Sequence, residues 1–191
     1  MDVEFKGFSK KIIKLEVEHT EILRQEPKSN REIEKINKRI KDIYGWFGTE
    51  ELVELQKLKM PKNPVIVECG TFQGRSARAM ELLWDAEVHT CDPLNHSKRV
   101  KLQHFYNKKG IDMVWHRPID LLFIDDAHTY QSVKENYEHF EPYVKKGGYI
   151  IFHDYLFPHI GETKGEKEFI DELGGCKIMG NRFKIAIKRK E

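Results

Sequence analysis

Short apolar runs, each too brief for a helix, alternate with helical stretches along the second two-thirds of this 191-residue chain. They are Val65-Ile66-Val67, Leu121-Leu122-Phe123-Ile124 and Tyr149-Ile150-Ile151-Phe152, with Val88-His89-Thr90-Cys91 a further, more mixed strand candidate. Strands without polar alternation are covered on both faces, and strand–helix alternation with such strands predicts a mostly parallel sheet between helices. In that architecture ligands bind beyond the carboxyl ends of the strands, where strand order reverses. The chemistry is therefore to be sought at the strand ends.

Between these strands the pattern predicts helices over 76–84, over about 97–108 and over 130–144, the last closed by Lys145-Lys146-Gly147-Gly148, with a further helix over 165–173. A third strand is expected at Met113-Val114-Trp115. Residues 176–179 and 183–187 alternate around Gly180-Asn181 as an antiparallel hairpin does. Trp115-His116-Arg117-Pro118 leads almost directly into the strand at 121–124, so the crossover after the third strand has little room for a helix. Residues 1–60 read differently, as a helical front. Ile12, Leu15, Ile22 and Leu23 form one stripe, and Ile33, Ile36, Ile40 and Ile43 a second after Pro27-Lys28-Ser29-Asn30. A short helix from Thr49, with Thr49 as N-cap and Glu50 and Glu51 in its first turn, precedes the strands. The expected organisation is a 1–60 segment packed on a core of 61–191, one compact unit.

Composition narrows the class. Lys and Arg number 33 against 31 Asp and Glu, a net charge of +2, which gives no electrostatic footprint for nucleic acid. No apolar run approaches the roughly 20 residues of a membrane span, and charges thread the first fifteen residues. Three cysteines without CxxC spacing suggest neither a disulfide framework nor a zinc site. A cytoplasmic protein, off the membrane, is the expectation.

Three strand ends carry chemistry. Glu68-Cys69-Gly70-Thr71-Phe72-Gln73-Gly74-Arg75-Ser76 turns tightly between a strand and a helix. It matches neither the dinucleotide fingerprint nor the phosphate loop, and an acid there suits a ligand bearing an amino group. Taken alone, such a turn also occurs with no ligand. Asp92 ends the next strand, about twenty residues on, where a carboxylate can accept both hydroxyls of a ribose or simply cap a helix. The third end is double: Asp125-Asp126-Ala127-His128 and His153-Asp154 follow the two central strands. Asp125, His153 and Asp154 suit a divalent cation, and equally fit two helix caps with a neighbouring imidazole.

Together these motifs resemble the class I S-adenosylmethionine-dependent methyltransferases, in particular the branch of macrocin-type and cephalosporin-biosynthesis methyltransferase-like proteins. GWFGTEEL, PVIVECGTFQGRSA, HTCDP and IDLLFIDDAHTYQSVKENYEHFEPYVKKGGYIIFHD carry the likeness, from about residue 44 onward. The resemblance implies an α/β fold with a Rossmann-like methyltransferase sheet and a SAM-binding domain over 61–191. It places Glu68, Gly70, Thr71, Phe72, Gly74 and Ser76 around the methionine part of S-adenosylmethionine, Asp92 on the ribose, and Asp125 beside the sulfonium. It implies a divalent cation, magnesium or manganese, on Asp125, His153 and Asp154, as in catechol O-methyltransferase-type sites. His128 then stands where a basic residue takes the proton of a hydroxylated small-molecule acceptor. The resulting expectation is metal-assisted O-methylation of a sugar-like or natural-product-like molecule. A metal-independent transferase and a SAM-binding protein without turnover are the alternatives. The short crossover leaves the adenine pocket shallow or completed by a second copy in a homo-oligomer.

Overall fold

The computed structural model describes residues 25–96, 100–156, 164–180 and 185–191. The stripe at Ile12, Leu15, Ile22 and Leu23 lies outside the described residues. The second stripe is helix α1, Asn30–Ile40, with Ile33, Ile36 and Ile40 buried. Ser29 caps it, and the Glu32 carboxylate accepts the Ser29 backbone N–H at 2.8 Å, a reciprocal capping box. Helix α2 spans Thr49–Leu55, but its cap is Gly48 rather than Thr49. The side chain that satisfies the exposed end is Glu51, whose Oε2 accepts the Gly48 N–H at 2.9 Å.

The strands are β1 (Val65–Cys69), β2 (Glu87–Cys91), β3 (His104–Tyr106), β4 (Ile119–Ile124), β5 (Val144–His153), β6 (Lys177–Met179) and β7 (Ile185–Arg189). They form one sheet in the order β3-β2-β1-β4-β5-β7-β6. The first five run parallel, β7 is antiparallel to β5, and β6 is antiparallel to β7. This is the expected Rossmann-like methyltransferase sheet with its C-terminal antiparallel pair. Strand order reverses between β1 and β4, so the binding crevice opens above those two strands. Helix α3, Arg75–Trp84, joins α1 and α2 on one face, where Ile36, Leu52 and Met80 pack on Ile66, Val88 and Phe123. Helices α4 (Tyr130–Phe140) and α5 (Lys164–Leu173) cover the other, over Val67, Leu122, Ile150 and Phe152. Burying such a side chain stabilises the fold by about 1.5–3 kcal/mol. No helix among the described residues is long and apolar enough to cross a membrane.

Three expectations need correction. Where a helix over 97–108 was expected, the third strand itself lies at His104–Tyr106, paired parallel with β2. Residues 113–115 are an extended link, not a strand. Met113 and Trp115 are buried while Val114 is 90% exposed, an alternation that imitates a strand without a partner to pair with. The crossover itself is reduced, as expected: between β3 and β4 there is one turn of 3₁₀-helix, Gly110–Asp112. Finally, α4 ends at Phe140 because Pro142 cannot continue it, and residues 145–148 belong to β5. Lys145 pairs with Asp120 at 2.7 Å instead of closing a helix.

Candidate active site

A cavity of about 600 Å³ opens above the carboxyl ends of β1, β2, β4 and β5. Its floor is the β1–α3 turn. Gly70 has φ +102°, and a Cβ there would lie 1.8 Å from the Asp125 carbonyl oxygen. The turn is so close to β4 because Asp125 N–H donates to Cys69 O at 2.8 Å while Gly70 N–H donates to Cys91 O at 2.9 Å. The chain is thus stitched to both neighbouring strands at once. Gly74, with φ +83°, caps α3 below the cavity wall.

Asp92 sits at the lip of this turn. Its Oδ2 accepts Phe72 N–H at 2.8 Å and its Oδ1 accepts Leu94 N–H at 2.7 Å. Each oxygen keeps a lone pair, so the carboxylate is oriented and still able to accept a hydroxyl from each side. It caps no helix among the described residues. Glu68 is fully buried beneath the turn, not on the cavity wall. Thr90 Oγ1 donates to it, and Thr90 is 2.6 Å from Thr71 Oγ1. Burial pushes the Glu68 carboxyl up to about 8. Thr71, Phe72 and Ser76 line the cavity with Gly70 and Asp92.

Beside this turn, at the ends of β4 and β5, the cavity holds a cluster of ionisable groups. Asp125, His128 and Asp154 each present a ligand atom, all within 4.8 Å of one another. His128 Nε2 lies 3.9 Å from Asp125 Oδ1 and 4.0 Å from Asp154 Oδ2. Neither carboxylate caps a helix: Thr129 caps α4, and α5 begins ten residues after Asp154. His128 and Asp154 have φ of +54° and +63°, left-handed conformations that cost about 1–3 kcal/mol each and aim both side chains inward. His153 sits behind the carboxylates, 1% exposed, with Nδ1 3.5 Å from Asp125 Oδ2 and 3.3 Å from Asp154 Oδ1. Its Nε2 faces Glu51 at 3.7 Å, and its ring stacks against Phe47. Burial opposes charge on His153, but Asp125 chiefly, then Asp154 and Glu51, raise its pKa well above the ordinary value. For Asp125 burial works upward too, yet His153 and His128 hold it below the usual range.

Two members of this cluster escaped the sequence reading. Glu166, on α5, is fully buried and lies 2.8 Å from His128 Nδ1. Burial raises it to about 7 despite the imidazole. His128 is in turn raised to about 9, burial being outweighed by Glu166, Asp125 and Asp154. The only trace of this in the sequence is the Gly165-Glu166 pair. A Cβ on Gly165 would stand 2.4 Å from Tyr130 N, so the glycine lets α5 press against α4 and bring Glu166 to His128. Gly165→Ala should force the helices apart, cost about 1–3 kcal/mol in urea unfolding, and break the His128–Glu166 contact. An unchanged unfolding midpoint would refute that close packing. The second missed residue is Glu51, noticed only for its place in a first turn. An aromatic rim completes the cavity: Trp46, 57% exposed, lies 5.5 Å from the Phe72 ring, and Tyr44 lies 5.9 Å from it.

A methyl donor fits this cavity on two counts: the backbone approach at Gly70 and the doubly anchored Asp92. A divalent cation fits the ends of β4 and β5, because two carboxylates and an imidazole converge there. Asp154 Oδ1 is buried without a hydrogen-bond partner among the described residues.

Comparison with known proteins agrees with the architecture. Residues 95–155 match a family described as "Methyltransferase domain". MycE, a methyltransferase from the mycinamycin biosynthetic pathway solved with Mg, SAH and mycinamycin VI, superposes with a TM-score of 0.61 at 15% identity. The match covers 84% of this chain and 55% of MycE, so the chain spans about half the length of that enzyme. CalS11, a TDP-rhamnose 3′-O-methyltransferase of calicheamicin biosynthesis, gives 0.53 at 16% identity, over 86% of this chain and 95% of CalS11. A 37-residue stretch is 54% identical to uncharacterized protein R132 of Acanthamoeba polyphaga mimivirus, 19% of this chain and 17% of that protein. The sheet order is that of a Rossmann-like methyltransferase fold, and the matched segment is similar to a methyltransferase domain.

Proposed function

We propose that the chain is an S-adenosylmethionine-dependent O-methyltransferase, assisted by a divalent cation, acting on a small hydroxylated molecule such as a sugar. The observation that carries this reading is the placement of Asp125, His128 and Asp154 in the same cavity as the Gly70–Asp92 turn, with Asp125 directly beside Gly70. The MycE complex with Mg and SAH and the sugar specificity named for CalS11 support it by analogy of fold.

The methyl donor would lie on the Gly70 turn, with its ribose on Asp92. Asp125 and Asp154 would hold the cation from the ends of β4 and β5, while His153, walled in by Glu51 and both carboxylates, keeps them oriented. When bound, S-adenosylmethionine supplies an electrophilic methyl group and the cation lowers the pKa of the acceptor hydroxyl. His128 Nε2 faces the same space and receives the hydroxyl proton, while Glu166 holds Nδ1 and so fixes the ring. Tyr44, Trp46 and Phe72 narrow the mouth against water. The His128–Glu166 pair by itself would also suit a metal-independent enzyme. With His128 raised to about 9, however, the ring is protonated at neutral pH and is no base until positive charge offsets Asp125 and Asp154.

Calorimetric titration of SAH, with and without Mn²⁺, tests this on wild type, Asp92→Ala and the Asp125→Ala/Asp154→Ala pair. SAH should bind wild type and lose roughly tenfold to a hundredfold in Asp92→Ala. Mn²⁺ should tighten SAH binding in wild type and not in the Asp125→Ala/Asp154→Ala variant, after which methyl transfer to a panel of hydroxylated sugars and catechols identifies the acceptor. SAH binding indifferent to Mn²⁺ and to the double substitution would overturn the metal-assisted reading. No SAH binding would overturn the transferase.

A further inference from the structure

At the amino-terminal ends of β2 and β3, away from the cavity, a second group of donors converges. Glu87 and His89 are two apart on β2 and therefore share a face. His104 is the cross-strand partner of His89. Ligand atoms of all three lie within 4.8 Å of one another. Glu87 Oε1 is 2.9 Å from His89 Nε2 and 3.7 Å from His104 Nε2. Ligands at about 2.0 Å around a tetrahedral ion stand about 3.3 Å apart, between these two values. His89 Nδ1 is 3.0 Å from the Tyr106 hydroxyl, which leaves Nε2 as the nitrogen turned toward the group.

Positive charge already sits in this place. The Arg117 guanidinium donates to both Glu87 oxygens, at 2.7 Å each, and its Nη1 lies 3.3 Å from His89 Nε2. The geometry points to a second cation site, formed by Glu87, His89 and His104, for a late first-row ion of the zinc, nickel or copper class, with Arg117 as its built-in competitor. Two imidazoles and one carboxylate suit such ions and not magnesium. Binding needs two movements. Arg117 swings off Glu87, and the His104 ring turns out of its parallel stack on His89 so that the ion lies in both ring planes. Both side chains are among the freer ones here, 42% and 41% exposed.

The position gives the ion a structural task. Strand β3 has three residues, and the crossover beyond it carries only a single 3₁₀ turn, so the edge has little to fasten it. An ion bridging β2 and β3 would clamp that edge. Asn107, just past β3, donates to the Asp92 and Pro93 carbonyls, so the clamp would also steady the turn that carries Asp92. This inference is independent of the methyl-transfer reading.

Zn²⁺ calorimetry on the full chain tests it, after chelator treatment and in an Asp125→Ala/Asp154→Ala background that silences the cavity cluster. One Zn²⁺ per chain should bind. His104→Ala should weaken binding at least roughly tenfold, and Arg117→Gln should tighten it by roughly tenfold. Zn²⁺ should raise the melting midpoint of the parent and not of His104→Ala. A folding defect lowers affinity and cannot yield the Arg117→Gln gain, so the opposed pair separates the two causes. Absence of Zn²⁺ binding, equal binding by His104→Ala, or no gain from Arg117→Gln would overturn the site.

Discussion

Gly70→Ala should unfold more easily than any other single-methyl substitution in the β1–α3 turn and should lose SAH binding. Two costs add at this position. A non-glycine residue at φ +102° is strained by about 1–3 kcal/mol. The new Cβ would also stand 1.8 Å from the Asp125 carbonyl oxygen, a backbone atom fixed in β4, so the ends of β1 and β4 must separate. That separation breaks the Asp125 N–H to Cys69 O bond, at about 1 kcal/mol net, and disturbs Asp125 itself. A total of about 4 kcal/mol is expected in urea unfolding, at the extreme of single substitutions. Gly174→Ala is the control: its φ is +62° but no atom of the described residues beyond its chain neighbours lies within 4 Å of the added Cβ, so strain alone opposes it, at about 1 kcal/mol. Equal losses in the two variants would show that the close approach to β4 is not what requires glycine. If Gly70→Ala stays folded, its SAH affinity should still fall by roughly a hundredfold or more, because the displaced turn moves Phe72 N–H off Asp92.

How much of this was legible in the sequence follows from the range of each interaction. Fully apolar runs announce buried strands through local composition, so β1, β4 and the core of β5 stand out, while β2, Glu87–Cys91, is mixed and reads as a strand only from its place between helices. The acids Asp92, Asp125 and Asp154 are visible because strand ends are where such sheets place ligands. Strand β3 was hidden: His104-Phe105-Tyr106 is short, half-buried and set among Lys and Gln, and only its pairing with β2 makes it a strand. Residues 113–115 show the converse, an alternating triplet with no partner. The long-range partners were unreadable for the same reason. Glu166 lies 38 residues from His128, and Glu51 lies 102 residues from His153. Each looks like an ordinary first-turn acid until tertiary packing buries it beside an imidazole. His153 reads as a cavity ligand by its neighbour Asp154, yet it is the last residue of β5 and buried, with Nδ1 3.3 Å from Asp154 Oδ1, while Asp154, past the strand end, lines the cavity.

Stability of the ligand-free, chelator-treated protein should peak near pH 5 and fall steadily toward pH 9. Buried Glu68 and Glu166 and half-buried His128 act in the same direction. Glu68 is raised by burial from 4.5 to about 8, so the folded state holds its proton more tightly than the unfolded chain. Its contribution is complete below pH 4.5 and is lost as pH rises through 8. Glu166, raised from 4.5 to about 7, behaves likewise over a narrower window. His128 is raised from 6.5 to about 9 by its carboxylates, so its contribution is full below 6.5 and gone above 9. Glu51 runs the other way: it is lowered from 4.5 to about 2 by His153 and its backbone bonds against the cost of burial. Its contribution is present above 4.5 and lost as pH falls through 2, which sets the acid limb. At about 1.4 kcal/mol per pKa unit, Glu68 alone should account for a fall on the order of 3–4 kcal/mol between pH 5 and 9. Urea unfolding of wild type and Glu68→Gln at pH 5, 7 and 9 measures this. The two proteins should be nearly equal at pH 5, and the variant should be the more stable at pH 9, because a buried amide never has to ionise. A wild-type stability that stays level or climbs from pH 5 to 9 would mean that Glu68 is charged and solvated in the fold. In that case Glu68 is the anchor for a ligand's amino group that an acid at this strand end suggests, rather than a neutral brace beneath the Thr71–Thr90 pair.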